Sequence, residues 1–227
     1  MRLSKMIRSM TYGLKRWGGK VVVAVFFSTQ FVQAAEIRIV ALGDSLTQGY
    51  GLPQWEGFVP VMEGWLRDQN INVQIINAGV SGDTTSGGLE RAEWALYGDN
   101  HAMILAMGGN DMLRGFPPSL VRDNLGKIIE IAIGYDIDVL LVGMKATNNF
   151  GQTYKDQFDA IYPWLADHYG VQLYDDFIGA ISADRSMAEI QEFMQGDGLH
   201  PNAQGIRMVV DEMGYSVLGL IDRMDHW

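Results

Sequence analysis

The chain contains no cysteine. Disulfides and thiolate metal sites are therefore excluded, and stability has to come from a packed core. Histidine is scarce: His101, His168, His200 and His226 are the only four, and they are too scattered to suggest a metal-ligand cluster. The motif G-x-S-x-G is missing, which excludes the usual nucleophile elbow of the α/β-hydrolases. Neither G-x-G-x-x-G nor G-x-x-x-x-G-K-S/T occurs, so no nucleotide fingerprint is present. No apolar run approaches the roughly 20 residues that a membrane helix needs. Internal repeats, low-complexity tracts and Pro/Ser-rich linkers are also lacking.

Basic residues become few once the N-terminus is set aside. Met1 to Lys20 carries Arg2, Lys5, Arg8, Lys15, Arg16 and Lys20 with no acidic residue. Val21 to Phe27 is apolar, and Val32-Gln33-Ala34 places small residues where a signal peptidase reads. Residues 1–34 read as a secretory signal peptide cleaved after Ala34, with Met10 as an alternative start. With no cysteine at the cleavage site, no lipid anchor is expected. A periplasmic or secreted location follows. Removing six of the 17 basic residues and none of the 27 acidic ones leaves residues 35–227 with a formal charge of −16. Such a surface repels nucleic acid and anionic headgroups. Roughly 190 residues suffice for one domain with one core.

Within residues 35–227, strand-like and helix-like patterns alternate. Apolar runs occur at Ile37–Leu42, Val73–Ile76, Ala102–Met107, Val139–Val142 and Val171–Tyr174. Between them lie helical stripes: Phe58 to Leu66, a weaker one over 84–97, Val121 to Ala132, and Tyr154 to Leu165. Ile206 to Met224 forms the clearest stripe. This alternation predicts an α/β fold, a parallel sheet with helices on both faces and right-handed crossovers. In such sheets the site lies beyond the carboxyl ends of the strands.

Those ends carry distinctive residues. The first strand is followed by Gly43-Asp44-Ser45-Leu46-Thr47, and the second by Asn77-Ala78-Gly79-Val80-Ser81-Gly82-Asp83-Thr84. The third leads into Gly108-Gly109-Asn110-Asp111. Asp197-Gly198-Leu199-His200-Pro201-Asn202 precedes the last helix. A serine leaving a central strand faces the N–H groups of the next helical turn, a setting that favours developing negative charge. Taken alone, Ser45 serves equally well as an ordinary helix cap. A hydroxyl, glycine-rich backbone, an amide and a carboxylate–imidazole pair at one sheet edge make up an acyl-transfer inventory.

These four blocks resemble, in order, those of the SGNH (GDSL-type) hydrolases, whose Ser, Gly, Asn and His match Ser45, Gly79, Asn110 and His200. Gly43–Phe58, Gly108–Phe116 and Phe158–Pro163 look like the bacterial periplasmic thioesterase I/lysophospholipase/arylesterase branch. The resemblance implies a three-layer α/β/α, flavodoxin-like parallel sheet of about five strands and a metal-free serine esterase. It implies a catalytic set of Ser45, Asp197 and His200. Ser45 would be the nucleophile, His200 the general base and Asp197 its orienting carboxylate. The oxyanion hole would be the N–H groups of Ser45 and Gly79 with the Asn110 amide. Asp44 and Asp111 are expected to hold loops in place, and Ser81 to cap a helix. No cofactor is implied. A monomer acting on small-molecule esters or thioesters is expected.

One loop departs from the branch. Where its members carry a Leu-Pro pair lining the acyl site, this chain has Ala146 and Thr147, followed by Asn148. The smaller, more polar substrate-binding loop predicts short acyl chains. Two alternatives stand beside the esterase reading: a carbohydrate O-deacetylase on the same scaffold, and a non-catalytic acyl- or glycan-binding domain.

Overall fold

The computed structural model describes residues 36–224. The expected signal peptide, residues 1–34, and the alternative start at Met10 lie outside them. Five strands form one sheet: β1 (Ile37–Gly43), β2 (Val73–Gly79), β3 (Ala102–Ala106), β4 (Asp138–Val142) and β5 (Gln172–Tyr174). All pairings are parallel, in the order β2-β1-β3-β4-β5. The longer helices are α2 (Phe58–Asp68), α3 (Thr85–Leu96), α5 (Pro118–Gly134), α6 (Gln152–Asp159), α7 (Ile161–Tyr169) and α10 (Ala203–Met224). Short ones are α1 (Ser45–Gln48), α4 (Gly109–Leu113), α8 (Gly179–Ser182) and α9 (Met187–Gln191).

The strands read as apolar runs because helices cover both faces of the sheet. Along β1, Ile39 and Ala41 join the cluster under α2 and α10, while Val40 and Leu42 join the cluster under α3, α5, α6 and α7. Each of the fully buried Ile, Val and Leu side chains contributes about 1.5–3 kcal/mol. In α10, Ile206, Val209, Val210, Met213, Val217, Leu220 and Ile221 are buried as the stripe predicts. The stripe Tyr154 to Leu165 differs from expectation: it is two helices, broken at Ala160. Pro163 has no N–H to give the Asp159 carbonyl, so the ladder is interrupted one turn upstream and proline sits in the first turn of α7.

The chain passes from β1 to its neighbour β2 and then returns across β1 to β3. The strand order therefore reverses between β1 and β3, and that is where a doubly wound sheet opens its crevice. The residues following β1, β2 and β3 line this crevice.

Candidate active site

Asp44 follows β1 directly and caps α1, its Oδ1 accepting from Leu46 N at 3.0 Å. Ser45 is therefore the first residue of a helical turn, and its N–H has no intrahelical acceptor. Gly43 is needed here because a Cβ would overlap the Thr47 side chain and come within 2.8 Å of the Ala106 carbonyl. Bare backbone lets the turn fold tightly against β3.

Ser45, His200 and Asp197 meet as the sequence predicts. His200 Nε2 lies 2.8 Å from Ser45 Oγ, and its Nδ1 lies 2.7 Å from Asp197 Oδ2. Asp197 Oδ1 also accepts from the amides of Leu199 at 2.9 Å and His200 at 3.1 Å. The three-residue spacing thus folds into one turn that fixes the imidazole. The His200 contact, helped by the Leu199 amide, holds the Asp197 carboxyl down at about 2. It stays ionised at neutral pH and keeps a proton on Nδ1, which leaves Nε2 free to accept one from Ser45. The Tyr50 ring lies on His200, centroids 4.8 Å apart and planes tilted by 41°. Gln195 ties the two segments, donating to the carbonyls of Tyr50 at 2.8 Å and Pro201 at 3.0 Å.

The other histidines stand elsewhere. His101 accepts from Arg38 N at 3.0 Å at the amino end of β3, and His168 stacks on Trp164 in the last turn of α7. Ser81 Oγ is paired with the side chain of Gln48, away from any histidine contact. Among the described residues, no group of three or more His, Cys, Asp or Glu could hold a metal ion.

Asn110 sits in the first turn of α4, just after β3. Its Nδ2 donates to Asp44 Oδ2 at 3.3 Å, leaving its second N–H for the crevice. Asp44 thereby joins the nucleophile turn to the amide on the neighbouring strand's loop. Burial pushes the Asp44 carboxyl up to about 6, against the Leu46 and Asn110 contacts that favour its ionised form. Asp111 is fully buried; its carboxyl is also raised by burial and is bonded by the Thr85 hydroxyl at 2.7 Å and amide at 2.9 Å. Both acids hold loops together, as expected.

Gly79 departs from its expected role. Its N–H already donates to Asn77 Oδ1 at 2.9 Å. A Cβ there would strike the Gln48 backbone and come within 2.9 Å of the Asp44 carbonyl, so glycine at 79 serves close packing of β2 against α1. The Gly82 amide, like that of Ser81, has no hydrogen-bond partner among the described residues, and Gly82 has a φ of 79° and no neighbour nearer than 3.9 Å to its would-be Cβ. Arg114 Nη2 holds its carbonyl at 2.9 Å. Two glycines three residues apart in one turn gave no sequence signal to separate them.

The loop after β4 also differs from expectation. Ala146 is only 4% exposed and packs in the core beneath α5–α7, its amide bonded to Asp159 Oδ1 and its carbonyl to Lys155 Nζ, each at 2.7 Å. It cannot line an open acyl wall. Thr147, Asn148 and Asn149 are exposed. Phe150, half exposed, lies against Gly115 and packs its ring at a tilt against Tyr154, centroids 5.2 Å apart, adding apolar surface that no sequence pattern indicated.

A hydroxyl, imidazole and carboxylate in line at the switch point of a five-stranded parallel sheet define a serine acyl-hydrolase of the SGNH type. The profile of the GDSL-like Lipase/Acylhydrolase family matches residues 41–208, and the chain belongs to that family. It is a GDSL-type serine ester hydrolase. An arylesterase of Vibrio mimicus is 34% identical over 185 residues, covering 80% of this chain and 88% of its own length. The Escherichia coli protein named thioesterase 1/protease 1/lysophospholipase L1 is 30% identical over 193 residues, covering 85% and 88%. The crystal structure of AlinE4, an SGNH-hydrolase family esterase, superposes with a TM-score of 0.68 at 40% identity, covering 82% of this chain and 97% of that one.

Proposed function

We propose that the enzyme hydrolyses carboxylic esters or thioesters through an acyl-enzyme on Ser45. The continuous contact Asp197–His200–Ser45, at 2.7 and 2.8 Å, is the observation that carries this reading. His200 Nε2 takes the hydroxyl proton as Ser45 Oγ attacks the acyl carbonyl. The oxyanion is met by the Ser45 and Gly82 amides and by Asn110 Nδ2. His200 then protonates the leaving alcohol or thiol, and a water molecule repeats the cycle to release the acid.

We further propose that residues 1–34 direct export and are removed, leaving 35–227 as one hydrolase domain. No helix among the described residues is long and apolar enough to cross a membrane. Short acyl chains are the expected substrates because, of the Ala146–Thr147 pair that stands in place of an apolar one, Ala146 is buried and Thr147 and the following Asn148 face solvent. The exposed polar run 147–149 also suits a carbohydrate O-deacetylase. The test is hydrolysis of p-nitrophenyl esters of rising acyl length, beside acetate release from acetylated sugars, by wild type and Ser45→Ala. Ester turnover that vanishes in Ser45→Ala supports the reading. Turnover retained in the variant, or none in wild type, would sink it.

A further inference from the structure

We propose that Arg91 is a positioning residue for the oxyanion hole, an inference that rests on the esterase reading above. Arg91 lies on α3, with its side chain 20% exposed. Its three nitrogens reach three separate segments. Nε donates to Asp83 Oδ2 at 2.8 Å, Nη1 to the Ala78 carbonyl at 2.7 Å, and Nη2 to the Gly43 carbonyl at 2.8 Å.

The three acceptors flank the two turns that carry the backbone oxyanion donors. The Gly43 carbonyl opens the turn that presents the Ser45 amide. Ala78 is the last residue before Gly79, where β2 gives way to the turn carrying Gly82. Asp83 follows Gly82 directly, and its other oxygen takes the Thr84 amide at 3.0 Å. The ladder between β1 and β2 ends at the pair Gly43–Gly79. Beyond it the two donor-bearing turns diverge. The Val80 amide on the Gly43 carbonyl, at 3.1 Å, the Gln48–Ser81 side-chain pair and Asn77 Nδ2 on the Gln48 carbonyl, at 3.4 Å, tie them directly. Arg91 adds a rigid planar clamp across both strand ends and the far side of the turn. A guanidinium suits this task because its N–H groups sit in a fixed fork. Its bonds to two carbonyls and a carboxylate are charge-assisted, hence short and directional. Oxyanion donors act only when held at hydrogen-bond distance, roughly 2.7–3.1 Å, from where the charge develops, so the spacing that Arg91 sets is a catalytic quantity.

The test uses Arg91→Lys, which keeps the charge and the Asp83 ion pair but loses the fork, with Arg91→Ala as its companion. Active sites are titrated with a fluorophosphonate, so that kcat is expressed per competent Ser45. On a short-chain p-nitrophenyl ester, Arg91→Lys should lower kcat per titrated site by about 10–100-fold and leave KM within about twofold. Combining it with Asn110→Ala should cost less than the product of the two single losses, because both act on one oxyanion. A purely structural Arg91 would lower the unfolding midpoint and the number of titratable sites, with kcat per site unchanged. That result, a change confined to KM, or full multiplication with Asn110→Ala, would overturn the proposal. The esterase reading fails separately, if wild type is inactive or Ser45→Ala is active.

Discussion

Replacing Asp44 with Asn tests the link between the nucleophile turn and the oxyanion amide. The carboxylate accepts from Leu46 N through one oxygen and from Asn110 Nδ2 through the other. Asparagine keeps an oxygen for the α1 cap, a position it fills well. It then turns an NH₂ toward the NH₂ of Asn110, and two donors cannot pair. Asn110 must swing away. Complete loss of an oxyanion donor costs 10²–10³-fold in kcat, so a displaced one should cost roughly 10–10²-fold with KM little changed. The same substitution carries a stability signature. Burial raises the Asp44 carboxyl from its usual 3.8 to about 6, so the folded state binds this proton more tightly than the unfolded one. The stability it contributes is fully present below its unfolded value and is lost as pH rises through its folded one. Two pH units of difference correspond to about 3 kcal/mol over that window. Denaturant titrations at intervals from pH 4 to 8 should show wild-type stability falling as pH rises between about 4 and 6. In Asp44→Asn that fall should be shallower but not absent, because Asp176 is also raised to about 6 by burial. An unchanged slope together with an unchanged kcat would refute the reasoning about Asp44.

Three further outcomes are expected. Asn110→Ala should lower kcat by roughly 10²–10³-fold at constant KM; a rise in KM alone would make Asn110 a substrate-binding residue. Wild-type kcat/KM should peak at about two to six acyl carbons, since a methylene without an apolar wall forgoes about 0.8 kcal/mol. Thr147→Leu should move that optimum to longer chains by about 1–3 kcal/mol of discrimination, and an optimum at ten or more carbons in wild type would place the acyl wall elsewhere. Gly79→Ala should destabilise the fold by about 1–3 kcal/mol in denaturant titration, because its Cβ meets the Gln48 and Asp44 backbone. A fully stable Gly79→Ala would show that β2 does not press on α1 there.

Much of the fold was legible because its strands are buried on both faces. Val40 and Leu42 on one side and Ile39 and Ala41 on the other leave no polar position from Ile39 to Leu42 of β1, so the run itself marks the strand. The long stripe of α10 was plain for a different reason, one buried apolar face repeating at helical spacing. The break at Ala160 was visible in principle through Pro163, and α9 through its capping box, Ser186 and Glu189. The meeting of Ser45, His200 and Asp197 followed from strand-end placement and a one-turn spacing. Other features depended on contacts that no local pattern encodes. Arg91 finds its acceptors 8, 13 and 48 residues away in sequence. Which glycine offers a free amide depends on whether Asn77 bends back onto Gly79. Ala146 reads as a small loop residue, yet the Asp159 and Lys155 contacts turn it into the core.

The central claim is that Ser45, activated by His200, is the nucleophile. Its most direct test is labelling with a fluorophosphonate, read by intact mass and peptide mapping. One adduct per chain is predicted, on the peptide containing Ser45, lost in Ser45→Ala, strongly slowed in His200→Ala and unaffected in Ser81→Ala. An adduct on Ser81, or labelling that persists in Ser45→Ala, would contradict it.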